Sequence, residues 1–460
     1  MRGKKFGKLF GVLFLFSAFA ATAQAQIRTR EPNAEYASRR ARLRAGVDAP
    51  IVVFGYTGRE NASEAYVFNQ EENFYYLTGD NEEGAALLLV PDSAAGKGWT
   101  GPAEVLYMHP HDRYFEQWNG PRMAFDDADI HERTGFAEVR NFERLAGDLR
   151  ALAKGGYGSL YTLLAPQGET AGYPHFQNWR DWIEDNDPNV QPRQIGQKIA
   201  ALREVKSPTE IALLQKAIDA SVDAHLAAMK MMRPGLWEYQ VAARMEEIHF
   251  SEGCEAEAYA PIVGAGINST VLHYDKIGSQ IQDGDIVLMD VAGQYSGYAA
   301  DITRTLPANG KFTARQREIY EIVYGAQEAA MHAVKPGMVL GRGENGLFTI
   351  AMDYINSHGK DLHGKPLGQY FTHGLGHPIG LDVHDSQLPN MVLAPGMVIT
   401  IEPGIYIPEE KLGVRIEDDV LVTETGFKLL SARLPRQANE VEKMMAEGKA
   451  ERSAAGGAQN

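Results

Sequence analysis

Apolar runs that carry a carboxylate constrain this chain more than any other feature. Ile286-Val287-Leu288-Met289-Asp290, Val398-Ile399-Thr400-Ile401-Glu402 and Val414-Arg415-Ile416-Glu417 each hold an acid within or at the end of a strand-like segment. A strand buried on both faces reads as such a run, so these acids sit where water is scarce. A carboxylate left there without a partner is costly. Asp301 follows Asp290 after the loop Gly293-Gln294-Tyr295-Ser296-Gly297. A hairpin turning at Tyr295-Ser296 would set Asp290 opposite Asp301 on one face, where two like charges are destabilising. A divalent cation between them removes the conflict.

Histidines accompany the acids. His373 and His377 bracket Gly374-Leu375-Gly376, and His384 follows in a segment that also holds Asp382 and Asp385. One histidine is more often structural than catalytic, but three in a glycine-rich stretch are harder to assign to packing. The chain has no G-x-S-x-G elbow, no H-E-x-x-H and no C-x-x-C. Gly374-Leu375-Gly376 fails as a dinucleotide fingerprint, because Ile379 stands where the third glycine is needed. Four carboxylates and one histidine are an oxygen-rich donor set, better suited to paired Mn²⁺, Co²⁺, Fe²⁺ or Zn²⁺ than to one structural zinc. Two such ions, roughly 3.5–4 Å apart, can bridge a water and lower its pKa. The residues therefore point to a metallohydrolase and leave the bond it cuts open.

The rest of the chain frames that cluster. With 460 residues, 44% of them hydrophobic, two or three domains are expected. The net charge of −15, with no basic stripe beyond the extreme N-terminus, argues against nucleic-acid binding. Arg2, Lys4, Lys5 and Lys8, the apolar run Leu9 to Ala21 and Ala23-Gln24-Ala25 form the three parts of a secretory signal peptide. This predicts export to the periplasm or medium, a mature N-terminus at Gln26, and a product that is soluble once the signal is removed. Cys254 has no partner for an internal disulfide and reads as a small buried hydrophobe.

Along the chain, Tyr36 to Arg44 reads as a helix, and Ile51–Phe54, Tyr66–Phe68 and Ala85–Val90 as strands, with turn-like Thr78-Gly79-Asp80-Asn81 before the last of these. Another helical pattern covers Phe142 to Leu152. Alternating strands and helices predict an α/β unit ending between residues 190 and 200. Ser207-Pro208-Thr209-Glu210 then opens a long helix, Pro234-Gly235 breaks it and Tyr239 to Phe250 restarts it. Further helices are predicted near Arg315–Val334 and Leu347–His358, and final strands from Val398 to Leu421. Past Arg436 the pattern loses its apolar period, and a frayed helix or disorder is expected.

The segments Asp290–Thr305, His373–His384, Glu402-Pro403-Gly404 and Arg415-Ile416-Glu417 resemble those of the methionine aminopeptidase, prolidase and aminopeptidase P superfamily, over about residues 200 to 435. Glu72 to Gly79, Ala85 to Val90, and Asp112-Arg113 to Gly120 resemble the accessory domain of aminopeptidase P. The resemblance implies an α/β (α+β) chain: signal peptide 1–25, accessory domain 26–195, pita-bread catalytic domain 196–436 and tail 437–460. It implies two divalent metals per chain, manganese first, on Asp290, Asp301, His377, Glu402 and Glu417, with Asp301 and Glu417 shared. His273, His373 and His384 match the histidines around the bound peptide, Arg415 the arginine beside the cluster, and Tyr259 a position near the substrate. Glu402 would carry a proton as well as a metal. The implied reaction is release of the residue before a proline by a hydroxide held between the metals, in a homo-oligomer acting on proline-containing peptides. A prolidase acting on Xaa-Pro dipeptides is the alternative, and a metal-free peptide-binding module the remote one.

Overall fold

The structure, a computed structural model, describes residues 29–60, 67–94, 99–166 and 174–457. The export signal read in residues 1–25, and Tyr66, lie outside them. The first unit is a six-stranded sheet of β1 (Ile51–Phe54), β2 (Ala86–Leu89), β3 (Glu104–Met108), β4 (Val139–Asn141), β5 (Ser159–Thr162) and β6 (Gln191–Gln194), in the order β4-β3-β2-β1-β5-β6. β1 and β2 are central and fully buried, which is why their sequences are unbroken apolar runs. The helix Pro174–Asn186 covers one edge of this core, stacking Trp179 on Phe54 at 5.8 Å between ring centres.

Val67 and Phe68, expected in a strand, form none, and Val67 is exposed. The segment after them is instead the helix Glu72–Thr78, opened by the Glu71 carboxylate accepting from Phe74 N and closed by Gly79 at φ +64°. A left-handed residue of this kind ends a helix by satisfying its last carbonyls, and glycine adopts it without strain.

The second unit begins at the helix Pro208–Met231, where Ser207 and Glu210 form a reciprocal capping box. Its strands are β7 (Ala256–Glu257), β8 (Ile262–Ala265), β9 (Ile286–Asp290), β10 (Gly293–Tyr295), β11 (Tyr298–Ala299), β12 (Thr303–Pro307), β13 (Val398–Ile401), β14 (Gly404–Ile407), β15 (Leu412–Arg415), β16 (Asp418–Val422) and β17 (Phe427–Leu429). They form small sheets ordered β11-β10-β7, β12-β9-β8 and β13-β16-β17, with β14 paired to β15. The helices Glu238–Ser251, Ala314–Ala333 and Leu347–His358 complete the unit. The segment beyond Arg436, expected as a frayed helix or disorder, takes the helical alternative and docks. It is the helix Ala438–Gly457, with Ala438, Val441 and Met445 buried. Apolar residues at helical spacing dock it, joined by Gly448 and by the buried Glu442, which pairs with Lys311 and Arg317.

The two units meet through buried charge. Glu31 accepts from Arg39, Ser207, Thr209 and Tyr298, and Arg39 also reaches Glu210 at 3.1 Å. Each of these groups has a partner, the condition on which charges can be buried.

Candidate metal centre and active site

Asp290 ends β9, but its ladder partner is Thr303 on β12 rather than Asp301. The hairpin turns one residue later than expected, at Ser296 and Gly297, both at positive φ, so that β10 pairs with β11. Two left-handed residues make the type I′ turn that matches strand twist. Asp301 falls in the short connection between β11 and β12. It meets Asp290 through Tyr259, whose hydroxyl donates to Asp290 Oδ1 at 2.5 Å and Asp301 Oδ1 at 2.7 Å. Behind both acids His225 Nε2 donates to the carbonyls of Val291 and Ile302, the residues that follow them. Burial, and then Arg304, press the His225 pKa down to about 3, so it acts as a neutral tie.

The histidine loop is pinned to β13. His377 N donates to Thr400 Oγ1, Thr400 N to the His377 carbonyl, and Glu402 N to the Leu375 carbonyl. A Cβ at Gly376 would stand 2.0 Å from the Thr400 carbonyl oxygen, so the close approach requires glycine. It brings His377 Nε2 to 3.4 Å from Glu402 and 3.3 Å from Asp301. From the other side, Thr303 bridges to Glu417: its hydroxyl donates to Glu417 Oε2 at 2.6 Å and accepts from Arg415 Nε at 3.1 Å. Arg415 also donates to Asp290 Oδ2 at 2.6 Å and to the Tyr406 hydroxyl at 2.9 Å. His373 Nε2 meets the same hydroxyl at 2.8 Å. His384 stacks on His377 with ring centres 3.8 Å apart, and His273 stands exposed on the loop beyond the turn Gly266–Thr270.

All ten residues singled out from the sequence, Tyr259 and His273 included, line one cavity of about 640 Å³. Its electrostatics are unbalanced. Burial raises the pKa of Asp290, against the pull of Arg415. Glu402 is pushed up to about 7 by burial, which the His377 charge only partly offsets. Glu417 is driven well above the carboxylate range by burial and then by Asp301, Glu402 and Asp290. Burial would lower His377, but Asp301 and Glu402 outweigh it and hold the imidazole up to about 9. His373, desolvated and facing Arg415, falls to about 4.

Residues 212–424 match the Metallopeptidase family M24, and residues 36–161 match the Aminopeptidase P, N-terminal domain. The Xaa-Pro aminopeptidase of Haemophilus influenzae is 33% identical over 441 residues, 90% of this chain and 97% of that protein. The chain belongs to metallopeptidase family M24. Aminopeptidase P from E. coli, solved with the inhibitor Pro-Leu, superposes with a TM-score of 0.78 at 30% identity, covering 92% of this chain and all of that one. An Xaa-Pro dipeptidase from Pyrococcus furiosus is 32% identical over 378 residues, 81% of this chain and 94% of that one. The accessory unit followed by the pita-bread unit is the aminopeptidase P arrangement, and the protein is a metal-dependent aminopeptidase.

M24 chemistry requires divalent cations, and the residues present fit them. Among the described residues, Asp301, His377 and Glu417 offer donor atoms all within 4.8 Å of one another. Asp290 and Glu402 extend that trio with oxygen donors, the set that hard and borderline divalent ions prefer. Sequence reading missed the groups that aim these donors: His225, Thr303, Thr400 and Tyr406. Thr303 and Tyr406 carry a detectable signal, since each lies two residues from a neighbour already under suspicion (Asp301 for Thr303, Gly404 of the Glu402-Pro403-Gly404 motif for Tyr406). A Cβ at Gly404 would stand 2.3 Å from the Tyr406 oxygen. His225 carries no such signal, because its partners are main-chain carbonyls far away in sequence.

Proposed function

We propose that this protein is an Xaa-Pro aminopeptidase, releasing the first residue of peptides whose second residue is proline. The observation that supports it most is the convergence of Asp290, Asp301, His377, Glu402 and Glu417 with His273, His373 and His384 on one cavity, in a chain with an aminopeptidase P accessory unit. On this reading those first five residues hold two divalent ions, manganese first, with Asp301 and Glu417 shared. When bound, the ions would lower the pKa of water and polarise a carbonyl.

The protein's own groups do the rest. The free α-amine of the first residue would bind beside the metals and their acidic ligands, which limits cleavage to one residue from the N-terminus. Glu402, at the end of its strand beside His377, is placed to carry a proton as well as to ligate. His373, neutral and held by Tyr406, and the exposed His384 and His273 face the peptide backbone. A proline nitrogen has no N–H to satisfy and its ring is apolar. Ile262, Leu272 and Val383 supply apolar lining, with Tyr259 and His384 as the flat walls.

The test is a peptide series. kcat/KM for Xaa-Pro-Yaa-Zaa is expected to exceed that for Xaa-Ala-Yaa-Zaa and for free Xaa-Pro by more than about tenfold each. Preference for the free dipeptide would make the enzyme a prolidase, and equal cleavage without proline would reject both readings.

We propose as well, from the basic start, apolar run and Ala23-Gln24-Ala25 alone, that the enzyme is exported. N-terminal sequencing of the native protein is expected to begin at Gln26. A start at Met1 would overturn it. Among the described residues no helix is long and apolar enough to cross a membrane.

A further inference from the structure

His384 has no hydrogen-bond partner among the described residues, so the position of its ring depends on the loop that carries it. That loop is held from both sides by one guanidinium. Arg203, at the end of the helix Gly196–Arg203 that joins the two units, donates through Nη2 to Asp382 Oδ2 at 2.6 Å and to Asp385 Oδ1 at 2.5 Å. These acids lie two residues before and one residue after His384. Lys206 Nζ approaches the second oxygen of Asp385 at 2.8 Å, and Arg203 Nη1 donates to Asn73 Oδ1 of the accessory unit at 2.9 Å. Arg203, Lys206 and Asp385 are all buried. The loop closes over the cluster so tightly that a Cβ at Gly380 would stand 2.3 Å from Asp385 Oδ2. The main chain repeats the clasp, with Asp385 N donating to the Pro378 carbonyl and Gly380 N to that of Asp382.

We propose that Arg203, through Asp382 and Asp385, is a positioning residue for His384, and that it ties the accessory unit to the reacting end of the cavity. The idea rests on the reading above, in which His384 acts on the bound peptide. A planar fork can hold two carboxylates in one geometry, whereas a lysine at the same place is a point charge on a flexible stem. The exposed imidazole then keeps its stack on His377 without any bond of its own. A catalytic group displaced by about 1 Å can lose 10²-fold in rate.

The experiment is a double-mutant cycle on the metal-loaded full-length enzyme with a Xaa-Pro-Yaa-Zaa peptide. Arg203→Lys is expected to lower kcat by about 10- to 10²-fold, with KM changed less than about threefold and metal content equal to wild type. In the His384→Ala background the same substitution is expected to cost less than about twofold. Equal losses in both backgrounds would overturn the proposal, because a general structural defect does not depend on His384. Asp382→Asn, at the more exposed end of the clasp, serves if Arg203→Lys fails to fold, and the same non-additivity is required of it. If His384→Ala alone retains full activity, the functional reading fails instead, and the two failures are distinguished.

Discussion

Glu417→Ala is expected to leave the purified protein without its metals and to lower kcat/KM by at least about 10³-fold. The metals are assigned several kcal/mol of barrier lowering, and each 1.36 kcal/mol is tenfold in rate. Glu417 is fully buried between Thr303 and Arg415, and Asp301, Glu402 and Asp290 all raise its pKa. It is therefore close to every other candidate ligand, as a shared ligand must be. Removing it also relieves repulsion among the remaining acids, so the fold is expected to survive better than the activity. Elemental analysis beside a melting curve is the measurement. Near two metals per chain in the variant would show that Glu417 is not shared, and an unfolded variant would redirect the test to Glu417→Gln.

His384→Ala is expected to cut kcat by 10²–10⁴-fold, the range typical of a positioned proton-transfer group, with metal content unchanged. Its ring lies against His377 and lines the cavity, and it is exposed where His377 is not. Partial burial lowers its pKa, and a neutral imidazole can both donate to and accept from a peptide. Metal lost in proportion to activity would make His384 a ligand and would break the division of roles among the histidines.

Much of the site was legible because its chemistry and its strands coincide. An acid closing an apolar run, as at Asp290 and Glu402, declares both a strand end and a buried charge. The capping signal at Ser207-Pro208-Thr209-Glu210 is equally local, and the helix starts there. Misreadings arose where the deciding partner is remote. Asp290 and Asp301 do come together, but through Tyr259 and His225 rather than through a ladder between them, and neither contact leaves a periodic trace. Glu72–Thr78, only 7 residues long, gives no periodic signal of its own, and its buried Phe74, Tyr76, Leu77 and Thr78 wrap most of the helix rather than one stripe. The C-terminal segment looked aimless because its docked residues, Ala438, Val441, Glu442, Met445 and Gly448, include an acid and a glycine, and the surface that receives them is made by other parts of the chain.

The ties at Glu31 also bear on the order in which the molecule is finished. Its bonds to Ser207, Thr209 and Tyr298 span 176, 178 and 267 residues. At ordinary synthesis speeds of 5–20 residues per second, Tyr298 follows Glu31 by roughly ten seconds to a minute. During that interval the six-stranded unit can build its sheet, but the Glu31–Arg39 pair lacks the hydroxyls and the Glu210 carboxylate that complete it. The clasp of Arg203 on Asp385 must wait for a span of 182 residues to close. Contacts of such separation form late, since the entropy of closing the loop is spent before they return anything. The accessory unit can thus fold first, yet it becomes a working part of the enzyme only when the catalytic unit is nearly whole.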